Sequence, residues 1–260
     1  MSSSRLVDFA LCPWGYPRPG LVIDRTPERL VELRPSWPIA DVNVVARIRA
    51  RPERVNAMIK ETRAFVASHH VACQWFIDRN TEPAGVPENL AAYGIIRDPE
   101  PIALAMVIAS DASLPPIDPR IQIRDALASF DDYAAAQTIQ QEAFGMAPAE
   151  PPSRDQWERA RQDPSLLHLL ALYDGQPGGA ANAVIGPDGW MLAGGATRES
   201  LRGRGIFRAL VRERWQRAAA AGAPGVAVHA GHMSAPILRR LGFEGVGEIA
   251  VYRDEGTATR

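Results

Sequence analysis

Cysteine is nearly absent from this sequence. Cys12 and Cys73 are the two among 260 residues, and their separation fits neither a metal-ligand spacing nor a disulfide framework. Both are read as reduced thiols. Long apolar runs are missing too. No stretch reaches the about 20 apolar residues that span a bilayer, and Met1-Ser2-Ser3-Ser4-Arg5 leads into no signal-like apolar segment. Charge of one sign is not in excess, since 29 Lys and Arg stand against 30 Asp and Glu, a formal net charge of -1. That balance gives no global attraction for nucleic acid or an anionic membrane. Together these absences predict a cytoplasmic protein without metal, nucleic-acid or membrane partners.

What is present is an ordinary globular composition whose length suits one large domain or two smaller ones. Residues 1–40 are rich in Pro and Trp, which predicts an irregular arm, with Trp14, Leu21, Val22, Ile23 and Trp37 packing it down. A strand is expected over 43–50 and a helix from Pro52 with Val55, Met58, Ile59, Thr62, Phe65 and Val66 on one side. A buried strand over 71–77, a short helix over 87–92 and a strand over 102–109 follow. Pro115, Pro116 and Pro119 mark a boundary.

The second half opens with a strand over 121–127 and a helix from Asp131 to about Ala143. Ser153-x-x-Gln156 predicts a capping box for a second helix. Strands at about 166–173 and 179–185 are joined by Asp174-Gly175-Gln176-Pro177-Gly178, a hairpin turn, and a third antiparallel strand spans 190–197. A glycine loop then leads to a helix ending at Gly222, a buried strand over 225–230, a short helix over 234–241 and a last strand over 247–253. Arg212, Arg214 and Arg217 are expected on the solvated face of the long helix. Phe207 and Trp215 fall in the apolar stripe of this helix, so the basic run shows no aromatic interleaving of the kind that suggests nucleic acid.

The loop Arg202-Gly203-Arg204-Gly205-Ile206-Phe207 carries the chemistry. Gly203 and Gly205 lack a Cβ, so the backbone can approach a ligand and adopt positive φ. The helix behind them offers unpaired N–H groups and the positive end of its dipole to an anion. Arg202, Arg204 and Arg208 add charge. No Gly-Lys-Ser/Thr follows, which sets aside a nucleotide-binding P-loop.

Arg202-x-x-Gly205-x-Phe207 resembles the Arg/Gln-x-x-Gly-x-Gly/Ala motif of GNAT-type N-acetyltransferases. The segment Ser234-Ala235-Pro236-Ile237-Leu238-Arg239-Arg240-Leu241-Gly242-Phe243 resembles that family's second motif, closing in Leu-Gly-Phe. Element order and the spacing of the two motifs agree with the resemblance, which covers about half the chain. It implies an α/β (α+β) fold, a mixed and mostly antiparallel central sheet flanked by helices. It implies acetyl-CoA as cosubstrate and no metal. Backbone groups of Gly195, Ala196 and Thr197 would hold the pantetheine arm, and residues 202–207, Arg202, Gly203, Arg204, Gly205, Ile206 and Phe207, the pyrophosphate. Phe207 departs from the motif, which has a small residue there; a ring pointing to the core would leave the amides of 203–206 free to serve.

Catalytic groups are sparser. Direct attack on a thioester needs a neutral amine, so a proton must be lost from a group of pKa about 10. Many relatives place a general-acid Tyr four residues before the Gly of Leu-Gly-Phe; Leu238 stands there instead. Ser234, the nearest hydroxyl, serves either as a hydrogen-bond partner of the sulfur or as the N-cap of its helix. His229 and His232, of the residue type that can accept a proton at neutral pH, are read either as proton acceptors or as ordinary loop histidines. Glu199 lies just before the loop, and the strand 190–197 contains no carboxylate.

The first half can be laid on the second at an offset of about 148 residues, aligning the 54–69 helix with 205–221 and Leu90–Ile95 with Leu238–Phe243. At the loop, Arg54-Val55-Asn56-Ala57-Met58 retains the arginine and loses both glycines. The organisation expected is therefore an arm over 1–40, a partial, degenerate GNAT-like domain over 41–118 that does not bind CoA, and a GNAT domain over 119–260. An unrelated α/β module is the alternative for the first half. If that half walls an acceptor pocket, Trp75, Asp78 and Glu82 are the residues to reach it. The expected activity is acetyl transfer from acetyl-CoA to a primary amine of a small molecule or peptide. The alternative is an acyl-CoA-binding sensor or regulatory protein with weak or no catalysis. The assembly is open, a homodimer included.

Overall fold

The computed structural model describes residues 4–36, 40–99, 103–145 and 151–256. Trp37, Ile102 and Pro148 lie outside the described residues. In chain order the elements are α1 (Ser4–Leu11), β1 (Val22–Arg25), β2 (Leu30–Leu33), β3 (Val44–Ala46), α2 (Val55–Ser68), β4 (Cys73–Ile77) and α3 (Val86–Ala92). Then come β5 (Ile96–Arg97), β6 (Ala103–Ala109), β7 (Ile121–Asp125), α4 (Phe130–Phe144), α5 (Arg154–Arg161), β8 (Leu166–Tyr173) and β9 (Gln176–Gly186). The chain closes with β10 (Gly189–Thr197), α6 (Ile206–Ala220), β11 (Gly225–Ala230), α7 (Ala235–Arg240) and β12 (Glu244–Asp254).

These elements form two compact units. One contains residues 1–10, 106–229 and 233–245, and the other contains 11–105, 230–232 and 246–260. Two expectations change. Of the irregular arm expected over 1–40, the described residues contain regular α1 and the β1–β2 hairpin, where Leu6, Phe9, Leu30, Val31 and Leu33 are all buried. The final strand, assigned above to the 119–260 domain, groups with the 11–105 unit from residue 246 on, where Ala250 to Asp254 pair antiparallel with Ile77 to Cys73.

The 11–105 unit is a sheet in the order β1-β2-β3-β4-β12, with β5 also on β12. β3 and β4 run parallel, and α2 makes the crossover between them. Strand β3 is shorter than the alternation of 43–50 predicts, because Arg47 takes φ 53 and leaves the extended region. Helix α2 buries Val55, Met58, Ile59, Thr62 and Val66, the stripe read from its period. Trp75 is fully buried in the core these residues form, so it packs the unit rather than lining a pocket.

The other unit holds a sheet in the order β7-β8-β9-β10-β11, with β6 beside β11. β7 to β10 are antiparallel neighbours and β10 and β11 are parallel, so α6 repeats the crossover geometry of α2. Asp174 (φ 48) and Gly175 (φ 81) make a two-residue turn between β8 and β9, tighter than the five-residue loop expected. The capping box of α5 is present, Ser153 accepting from the Gln156 amide while Gln156 accepts from the Ser153 amide. Helix α1 rests on the sheet where Gly186, Gly189 and Gly225 leave room; a Cβ on Gly189 would lie 2.8 Å from Leu6.

Candidate active site

The glycine loop, the cleft it opens into and the irregular end of β10 lie in the unit that carries α6. Gly205 occupies the N-cap of α6 in the left-handed region (φ 86, ψ 1) and offers no side-chain cap, so the first-turn N–H groups face outward unclaimed by a side chain. Gly203 is also left-handed (φ 80), and a Cβ there would meet nothing within 4 Å, so space lies above the loop. Gly178 and Gly179 on β9 bring this helix start close to the sheet. Ile206, fully buried, sits on the positions where their Cβ atoms would be. Sequence patterning assigned Gly178 to a turn; its service to Ile206 became visible only with the strand in place.

The helix start opens into a cleft of about 230 Å³ lined by Gly203, Arg204, Gly205, Arg208, Arg212 and Arg120, with the 114–118 segment as its far wall. Arg204 lies over the Tyr173 ring (6.0 Å) and Arg120 over the same ring (4.9 Å). Arg120 is held by Asp118 (2.7 Å), whose carboxyl it keeps down at about 2. Arg212 donates to the carbonyls of Leu114 and of Pro115, the latter at 2.7 Å, which fixes the wall. Arg202 and Arg208 are exposed. This donor set, backbone N–H groups at a helix start ringed by guanidinium groups, suits a polyphosphate.

Beside the loop, β10 is irregular. Its parallel pairing to β11 runs from Trp190–Val226 to Leu192–Val228 and stops, although the strands continue to Thr197 and Ala230. Its register with β9 shifts between Ala193 and Ala196, and Gly194 takes φ 58. Two buried side chains hold this bulge. Gln140 of α4 donates to the Gly194 carbonyl (2.7 Å) from one face. Arg214 of α6 donates to the carbonyls of Asn182 (2.8 Å) and Ala193 (3.2 Å) from the other. Arg214 is 2% exposed, so it does not belong to the solvated face on which helical spacing put it. Its Nη1 reaches the carbonyls of the Asn182–Ala193 pair that borders the bulge, and its Nε the Leu210 carbonyl of its own helix.

The predicted site residues divide accordingly. Gly195, Ala196 and Thr197 lie on the bulged end of β10, with Ala196 buried against Ala180 and the Thr197 Oγ1 buried without a hydrogen-bond partner. Phe207 is half-buried, and its ring would stand 3.0 Å from a Cβ on Gly195, so it packs against the bulge. His229 bonds the Ala10 carbonyl through Nε2 (2.8 Å), and burial pushes its pKa down to about 4. Ser234 stands at the N-cap of α7, yet its hydroxyl makes no capping bond. His232 is exposed and falls in the strip 230–232 that groups with the other unit. Glu199 is exposed and 3.9 Å from Arg202. Leu238, at the position of the absent tyrosine, is fully buried.

In the 11–105 unit the matching loop is different in kind. A 3-10 turn, Pro52–Arg54, precedes α2. Arg54 there is spent on Glu28 (3.0 Å) and Glu61 (3.1 Å).

A bulged strand splayed from a parallel neighbour, followed by a glycine-opened helix start, is the local arrangement of a GNAT fold. Residues 133–243 match the model of the acetyltransferase (GNAT) family. Among solved structures, a GCN5-related N-acetyltransferase from Kribbella flavida is similar over 98% of this chain and 97% of its own (17% identity, TM-score 0.71). A GCN5-related N-acetyltransferase from Sphaerobacter thermophilus is similar over 89% and 82% (19% identity, TM-score 0.60). A tandem GNAT protein from the clavulanic acid biosynthesis pathway is similar over 98% and 89% (14% identity, TM-score 0.54). At these identities the likeness concerns the fold, here two GNAT-like halves in tandem. No curated protein matches the sequence. Among the described residues, no helix is long and apolar enough to cross a membrane, and no cluster of His, Cys, Asp and Glu fits a metal ion.

Proposed function

We propose that this protein transfers an acetyl group from acetyl-CoA to a primary amine of a small molecule or peptide, at one site per chain in the unit carrying α6. The observation that carries the reading is the uncapped start of α6, with left-handed Gly203 and Gly205, opening into an arginine-lined cleft beside the bulge of β10. The amides of 203–206 would take the pyrophosphate, Arg204 and Arg208 would neutralise it, and Gly195 to Thr197 would hold the pantetheine arm.

Acetyl-CoA supplies an activated acyl carbon when bound. The amine nitrogen bonds to that carbon, the carbon–sulfur bond breaks with its electron pair going to sulfur, and the nitrogen loses a proton. The chain's part is to orient the two reactants, a contribution worth many powers of ten in rate. Among proton-handling groups, His229 is assigned to anchoring α1 through the Ala10 carbonyl. Ser234 and His232 are then the groups to test, through Ser234→Ala and the double change His229→Ala with His232→Ala. If the double change leaves transfer unaffected, neither histidine takes part.

One observation favours a second reading, an acyl-CoA-binding sensor: the fully buried Leu238 offers no proton where many relatives have a tyrosine. Thiol release from acetyl-CoA with a panel of primary amines separates the two. Amine-dependent release supports transfer; tight binding without release on any amine supports the sensor.

A further inference from the structure

We propose that Arg214 is a positioning residue of this site: a buried cation, unpaired with any carboxylate among the described residues, that fixes the bulge of β10 and favours the thiolate left when the thioester is consumed. This rests on the acetyl-CoA reading above.

The placement is specific. Arg214 donates Nε to the Leu210 carbonyl (2.9 Å) and Nη1 to the Asn182 and Ala193 carbonyls. Its Nη2 lies 3.9 Å from the place a Cβ on Gly195 would take. The charge therefore sits directly under the segment where β10 parts from β11.

Burying a cation is costly, and such groups are ordinarily matched to a carboxylate. Here the partners are carbonyl dipoles alone. Strands β9 and β10 contain no ionisable side chain. On β8 the titratable groups are His168 and Tyr173; on β7 they are Arg124 and Asp125. Asp125 and Glu213 of α6 both face Arg217, at 4.0 and 2.8 Å. On α4, Asp132 faces Arg124 and Glu142 faces Arg198. Asp131 and the buried Tyr133 are the other ionisable groups of α4. Among the described residues no carboxylate comes within ion-pair distance of Arg214. Burial lowers its pKa to about 9, which still leaves it charged at neutral pH.

Tying down two carbonyls needs only a neutral donor. The charge does more, because bond cleavage puts an electron pair on sulfur and Leu238 offers no proton to it. A fixed positive potential in a low-dielectric setting lowers the free energy of that anion without a proton donor.

The test reads the thiol of bound CoA by its ultraviolet thiolate absorbance as pH is raised, in the full chain saturated with CoA. Cys12 stays out of the window because burial raises its pKa to about 11, and burial raises Cys73 as well. The wild-type complex is expected to titrate on the order of one pH unit below free CoA. Arg214→Gln, which keeps an amide donor and loses the charge, should return the midpoint to that of free CoA. Arg214→Lys, which keeps the charge with fewer donors, should stay near wild type. A wild-type midpoint at or above that of free CoA overturns the proposal and needs no variant to be folded. Equal midpoints for wild type and Arg214→Gln overturn it as well. Failure of CoA to bind wild type at all in calorimetry overturns the acetyl-CoA reading itself, and this proposal with it.

Discussion

The side-chain amide of Gln140 donates to the carbonyl of Gly194 at 2.7 Å, joining α4 to the strand bulge from the face opposite Arg214. Gln140 is 5% exposed, and its removal would take this donor from the partly buried Gly194 carbonyl. Gln140→Leu is expected to cost about 1–3 kcal/mol of stability, read as a lowered denaturation midpoint at unchanged slope. It should also weaken acetyl-CoA binding in calorimetry, since the bulge loses one of its two anchors.

Gly195 and Phe207 form a coupled pair. A Cβ on Gly195 would lie 3.0 Å from the Phe207 ring, tighter than ordinary contact. Gly195→Ala alone is expected to destabilise the protein and Phe207→Ala alone to leave a cavity. The double variant should be more stable than the sum of the two losses predicts, by about 0.5–3 kcal/mol. Additive losses in a double-mutant cycle would contradict the packing described.

His229 makes stability pH-dependent in one direction. Its pKa is lowered from 6.5 to about 4 by burial, so the unfolded chain binds more protons between those values. Its contribution is complete above pH 6.5 and is lost as pH falls toward 4. His229→Gln should flatten the fall in melting temperature across that window.

Arg54 tests the difference between the two halves. Its guanidinium is engaged by Glu28 and Glu61, and no glycine opens the helix behind it. Arg54→Ala should leave acetyl-CoA affinity and stoichiometry unchanged; a fall in stoichiometry would mean that the first half also binds.

The period of α2 and α6, the Ser153–Gln156 box and the Gly203–Gly205 loop were all legible in the sequence, because each depends on neighbours a few residues away. The hidden parts depend on distant partners. Arg214 has the helical spacing of a solvated residue, and only the bulge of β10, made by Ala193 to Ala196, supplies carbonyls to draw it inward. Gln140 carries no local signal for its bond to Gly194, which spans more than fifty residues of chain. Residues 247–253 read as one more strand of the second half, and the pairing of this strand with β4 is set by contacts that no local pattern records. The short β3 followed from positive φ at Arg47, an arginine that strand propensity alone would have accommodated.

The most direct measurement is a calorimetric titration of the full chain with acetyl-CoA, repeated on Gly205→Val. A β-branched residue is strained at φ 86 by about 1–2 kcal/mol and would distort the uncapped start of α6. The account predicts one acetyl-CoA per chain for wild type and at least about tenfold weaker binding for the variant, about 1.4 kcal/mol, with circular dichroism unchanged. No binding by wild type, or equal affinity in a folded Gly205→Val, would contradict it.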